Sequence, residues 1–240
     1  MMQVEFNHTD RKGSDLLIAA ERMAKFICGH SGYLYSFCDV LRKSSTWKIT
    51  DYKDKLDPKM NIIRNKRKKS NTDEEYISVL ENFYAVCKKD DDINDVRGMF
   101  PEQLLREICR NNIHSKVWRV STGCTVKIDG NLVMYKDADS ESSKKTVDIG
   151  AWLHAKQAGS FMEAKVAPGT FQSVDKEYLD LLRDELKKDT NVKYKIFIFA
   201  MDNVDLVLEK ICLSGYDLGV DTVILGRDNI FTTDILPLSA

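Results

Sequence analysis

Between Gly159 and Ala167 the chain reads Gly-Ser-Phe-Met-Glu-Ala-Lys-Val-Ala, an apolar run of strand character carrying a carboxylate and an ammonium two residues apart. Side chains two apart on a strand share a face. Burying Glu163 and Lys165 on one face of a hydrophobic layer costs several kcal/mol unless each finds a partner or a metal ion. A second run of this kind, Lys145-Thr-Val-Asp-Ile-Gly-Ala-Trp-Leu153, places Asp148 fifteen residues before Glu163. Side by side, the two runs would form a compact divalent-cation site with a lysine next to it.

Context selects this pair of segments. An acid, any residue and then lysine occurs five times, at Asp10, Asp51, Asp57, Glu163 and Glu185. Only Glu163 lies in a strand-like run that follows another strand-like run bearing an acid. Lys187, the partner of Glu185, falls in a helical pattern, and the other three occur in polar stretches.

The surrounding order of elements is helix, strands, helix, strand, helix, strand. Leu16, Leu17, Ala20, Met23, Ala24 and Ile27 recur at helix spacing after a Ser14 cap. Thr72 is expected to cap a second helix over about 73–87, and Asp90-Asp91-Asp92 reads as a hinge. Pro101 suits the first turn of a helix whose buried face is Leu104, Leu105, Ile108 and Cys109. Strands are expected over 117–128, 132–136, 146–153, 160–166, 193–201 and 222–225. Helices are expected after a Ser173 cap and over about 204–213. These elements place a helical N-terminal region in residues 1–90 and an α/β (α+β) core in 91–240.

Asp148 and the Glu163-Ala164-Lys165 triplet resemble the PD-(D/E)xK nuclease superfamily, the fold of many restriction endonucleases. The likeness covers about residues 95–226. It implies a restriction-endonuclease-like α/β/α core with a mixed central sheet. It further implies magnesium held by Asp148, Glu163 and the main-chain carbonyl of Ala164. Glu102 would be contributed from the opening helix, and Lys165 would orient or help deprotonate the attacking water. The same glutamate reads equally as a first-turn residue satisfying its helix dipole. The chain departs from the family pattern in two places: Val147 replaces the proline of the motif, and Gln172 and Tyr178 stand six apart, unlike a Gln-x-x-x-Tyr element. The implied activity is magnesium-dependent hydrolysis of double-stranded DNA by a type II restriction endonuclease, acting as a homodimer or paired with another subunit. A defence-effector or repair nuclease on the same fold, and a non-catalytic DNA-binding or partner-dependent subunit, remain open beside it.

Charge distribution bears on the nucleic acid. The net charge is −1, but residues 1–90 hold 17 basic and 13 acidic residues and residues 91–240 hold 19 and 24. Between Leu41 and Lys69 there are 11 basic residues and 3 acidic ones, with Trp47 and Tyr52 interleaved. Lys43, Lys48, Arg64, Lys66, Arg67, Lys68 and Lys69 are therefore candidate phosphate contacts. The stretch reads equally as a solvated loop. The histidines show no zinc spacing, and there is neither a P-loop nor Gly-x-Gly-x-x-Gly. Asp137 and Asp139 lie in a polar, turn-like stretch. The longest apolar run, Ile196 to Met201, is too short for a membrane span, and the polar N-terminus lacks a signal-peptide core, so a cytoplasmic protein is expected.

Overall fold

A computed structural model of the chain describes residues 1–8, 14–112, 118–138, 141–216 and 218–236. Asp10, Lys12, His114, Val117, Asp139 and Ser140 lie outside the described residues. The chain forms two compact units, a helical one of residues 11–107 and a sheet unit of residues 1–10 together with 108–240. The boundary anticipated between residues 90 and 91 therefore falls inside the helical unit. Among the described residues no helix is long and apolar enough to cross a membrane.

The first strand, β1 (Val4–His8), lies in a region expected to be helical. Val4 is buried while Glu5 is exposed, a strand alternation too short to stand out in the sequence. Helix α1 (Asp15–Gly29) starts where its sequence directs, with Ser14 Oγ accepting from Leu17 N at 3.2 Å and Ala20, Met23, Ala24 and Ile27 buried. Helices α2 (Leu34–Lys43) and α3 (Tyr52–Arg64) occupy most of the basic stretch. Tyr52, Leu56, Met60 and Ile63 form the buried stripe of α3, and the lysines and aspartates between them mask the helical period.

Two helix starts differ from expectation. Helix α4 (Asn71–Ala85) is capped by Ser70 and not Thr72, in a reciprocal capping box with Asp73. Helix α5 (Asp90–Asn112) begins at the acidic run, where Asp92 Oδ2 accepts from Lys88 N and Lys89 N at 2.7 and 3.2 Å. Those acids sit in the first turn of a helix, where they complement its dipole, and do not form a hinge. Pro101 lies inside α5 and not at its start. The helical core closes on the edge-to-face rings of Phe37, Phe83 and Phe100.

In the sheet unit, β2 (Arg119–Ile128), β3 (Asn131–Leu132), β4 (Tyr135–Lys136), β5 (Ser143–Lys144), β6 (Thr146–Leu153) and β7 (Ala158–Lys165) come in succession. Helix α6 (Ser173–Lys187), β8 (Lys193–Ala200), helix α7 (Val204–Leu213) and β9 (Thr222–Leu225) follow. The main sheet has the order β1-β2-β6-β7-β8-β9, with β3 beside β2, while β4 and β5 pair separately. It is mixed. β1, β2, β6 and β7 run antiparallel in sequence, and β7, β8 and β9 are parallel. Parallel neighbours need crossovers, which α6 and α7 provide. Their Tyr178, Leu179, Leu182, Val207 and Ile211 pack in one core with Phe161, Ile196 and Ile198. Cys109, in the last turn of α5, meets Met162 with sulfurs 3.9 Å apart. The parallel part is buried, so β8 reads Ile-Phe-Ile-Phe-Ala without alternation. Gly159 is required by packing, because a Cβ there would stand 2.5 Å from the Trp152 ring.

Candidate functional site

The sheet register brings the singled-out acids together. Ile149 pairs with Met162 in the antiparallel ladder of β6 and β7, and one further step sets Asp148 opposite Glu163. Residues directly opposite share a face with Cβ atoms about 5 Å apart. Asp148 Oδ2 accepts from Ala164 N at 2.6 Å, so the main chain of Ala164 meets this acid through its N–H. On the far side of Asp148 the ladder steps from Thr122–Ile149 to Cys124–Val147, and the intervening Gly123 has φ +51°. Only glycine adopts that left-handed geometry without strain, so β2 departs from regular strand geometry where Asp148 sits.

Glu163 is 1% exposed, and Oε1 is held by two ammoniums, Lys144 Nζ at 2.7 Å and Lys165 Nζ at 2.8 Å. Its Oε2 is buried with no hydrogen-bond partner among the described residues. Asp175 completes the cluster. It accepts from Gln172 N at 2.9 Å in the capping box of α6 and bonds Lys144 Nζ at 2.7 Å and Lys165 Nζ at 3.1 Å. Gln172 is the cap here, one residue before the expected Ser173. The buried hydroxyl of Tyr178 lacks a hydrogen-bond partner among the described residues. Burial, then the fields of Cys124 and Glu163, raise its pKa.

These neighbours set the protonation of the site. Burial, reinforced by the Asp148 charge, pushes the Glu163 carboxyl up to about 7 against the pull of Lys144 and Lys165. Burial alone would lower the pKa of Lys165, but the charges of Glu163 and Asp175 outweigh it and hold the ammonium above its ordinary value. Lys144 follows the same balance. Burial would raise Asp175, yet the two lysines bring it below the usual carboxylate range.

The structure thus joins Asp148, Glu163, Ala164 and Lys165 within the sheet unit. Glu102 is half-buried in the middle of α5, within the helical unit, and not in a first turn. Sequence reasoning missed Lys144 and Asp175. The first lies in a polar stretch without a periodic signal, and the second is an acid in a first helical turn, where the helix dipole is a sufficient local explanation. A buried carboxylate oxygen without a donor, beside a second carboxylate, fits a hard divalent cation. Among the described residues no three His, Cys, Asp or Glu side chains form a complete ligand set. Magnesium commonly retains waters and binds through one or two carboxylates, so the pair suffices as a protein contribution.

The basic candidates all lie in the helical unit, and several pair with acids there. Lys43 meets Asp39 at 3.2 Å, Lys48 meets Asp90 at 3.2 Å and Arg64 meets Glu81 at 2.6 Å. Lys66 meets Asp73 at 2.5 Å and Lys69 meets Glu74 at 3.1 Å. Arg67 and Lys68 are exposed between α3 and α4.

No protein-family model matches this chain, and comparison with curated proteins finds no match.

Proposed function

We propose that the sheet unit is the catalytic core of a PD-(D/E)xK-like endonuclease that hydrolyses double-stranded DNA with magnesium, in the manner of a restriction enzyme. One observation carries this reading: the buried Oε2 of Glu163, without a hydrogen-bond partner among the described residues, lies on the strand next to that of Asp148, with Lys165 two residues on. Magnesium bound there would neutralise charge on the scissile phosphate and polarise the attacking water. Asp148 and Glu163 would hold it. Asp148 is oriented for this by the Ala164 N–H. Lys165, kept as an ammonium, can donate hydrogen bonds to the water or to a phosphate oxygen. The exposed Arg67 and Lys68, with neighbouring bases, are candidate contacts to the DNA backbone.

The lysine pairs on Glu163 favour a second reading, in which the cluster only neutralises itself and the chain is a non-catalytic DNA-binding or partner-dependent subunit. Plasmid DNA with the purified protein and magnesium separates the two. Nuclease chemistry predicts defined ends on sequencing, abolished by chelator and by Asp148→Asn or Glu163→Gln. Undiminished cutting in excess chelator would remove the metal mechanism, and absence of cutting under all metals tried would favour the binding subunit.

A further inference from the structure

Two ammoniums compete for the oxygen that a cation would need, and they are not equivalent. Lys165 projects from β7, locked between β6 and β8 in the main sheet. Lys144 projects from β5, a two-residue strand that among the described residues pairs with β4 alone, outside that sheet. Its Nζ nevertheless reaches Glu163 and Asp175, both at 2.7 Å, and its side chain is only 14% exposed. A two-residue strand thus puts a charge into the carboxylate cluster.

Charge balance shows what this arrangement requires of an incoming ion. Three carboxylates, Asp148, Glu163 and Asp175, face two ammoniums, leaving one net negative charge when all are ionised. A divalent ion added beside both lysines would leave one net positive charge in a buried site. Exchanged for Lys144 alone, it leaves none. Like charges a few ångströms apart in a poorly hydrated site repel strongly, so exchange is the favoured route.

We infer that Lys144 is an internal stand-in for the divalent cation: it holds the carboxylates while the site is without metal, and it must leave, releasing the β4–β5 hairpin, for the ion to bind. This inference rests on the metal-site reading proposed above and adds its regulation. Lys144 is a positioning residue on this account.

Calcium is a suitable probe because it accepts the same oxygen ligands. Titration calorimetry of the full chain should show Lys144→Met binding calcium roughly tenfold or more tightly than wild type, since the competing charge is gone. Glu163→Gln should bind none. Wild-type binding that Lys144→Met leaves equal or weakens overturns this inference and leaves the metal reading intact. Failure of both wild type and Lys144→Met to bind calcium overturns both. Hydrogen exchange on wild type needs no variant: the amides of Tyr135, Asp137 and Lys144, which bond across the β4–β5 pair, should lose protection when calcium is added. Unchanged protection in calcium-bound protein also overturns the release of the hairpin.

Discussion

Lys165 has the most specific role of any single residue in the proposed site, because it is the ammonium fixed to the rigid strand. Lys165→Ala should lower single-turnover cleavage by roughly a hundredfold or more while DNA binding in calcium stays near wild type, since Asp148 and Glu163 remain. Full turnover in that variant would show that Lys165 only balances charge. The motif residues were legible because charge inside an apolar strand is anomalous and demands a partner. Asp175 was not, since an acid in the first helical turn has a sufficient local explanation. Lys144 was still less so, since a lysine among serines is ordinary. Nothing in a sequence announces that Gly123 adopts φ +51° opposite Asp148, because that follows from tertiary pairing.

At the level of elements, periodicity located what packing reinforces. The limits expected for β6, α7 and β9 are those observed, because apolar residues fill them with little interruption. Helix α3 was hidden because its buried Leu56, Met60 and Ile63 alternate with charges, and the same charges made the stretch read as a DNA-facing loop. Of the candidate phosphate contacts, Lys43, Arg64, Lys66 and Lys69 pair with Asp39, Glu81, Asp73 and Glu74 inside the helical unit. The start of α4 shows how a cap is misplaced. Ser70 and Thr72 are both plausible caps by type, and only the reciprocal bond to Asp73 decides between them. Ser70→Ala should cost the helical unit about 1 kcal/mol in denaturant unfolding, whereas Thr72→Ala should cost clearly less. Equal losses would place the start of the helix elsewhere.

Across the whole molecule the chain order and the units do not coincide. Residues 4–8 pair with β2 in the sheet unit before the chain enters the helical one, a long-range pairing that no local pattern encodes. The sheet unit also carries a measurable electrostatic cost at its centre. Glu163 titrates near 7 when folded and near 4.5 in its ordinary state, so between these values the folded protein holds a proton that the unfolded chain has released. Stability falls with rising pH wherever the folded state binds more protons. The contribution of Glu163 is therefore complete below about pH 4.5 and is lost as pH rises through about 7. Asp175 acts in the opposite sense, losing its contribution only as pH falls into the acid range, outside this window. In chelator, Glu163→Gln should gain on wild type from about pH 5 to about pH 8, by on the order of 3 kcal/mol at most. Trp118 and Trp152 lie in the sheet unit and Trp47 in the helical one, so fluorescence in a Trp47→Phe background reads the relevant transition. Calcium should stabilise wild type most at the alkaline end, because only the ionised carboxylate binds it, and should do nothing for Glu163→Gln. A stability difference that stays constant with pH would mean that the Lys144 and Lys165 charges keep Glu163 ionised throughout.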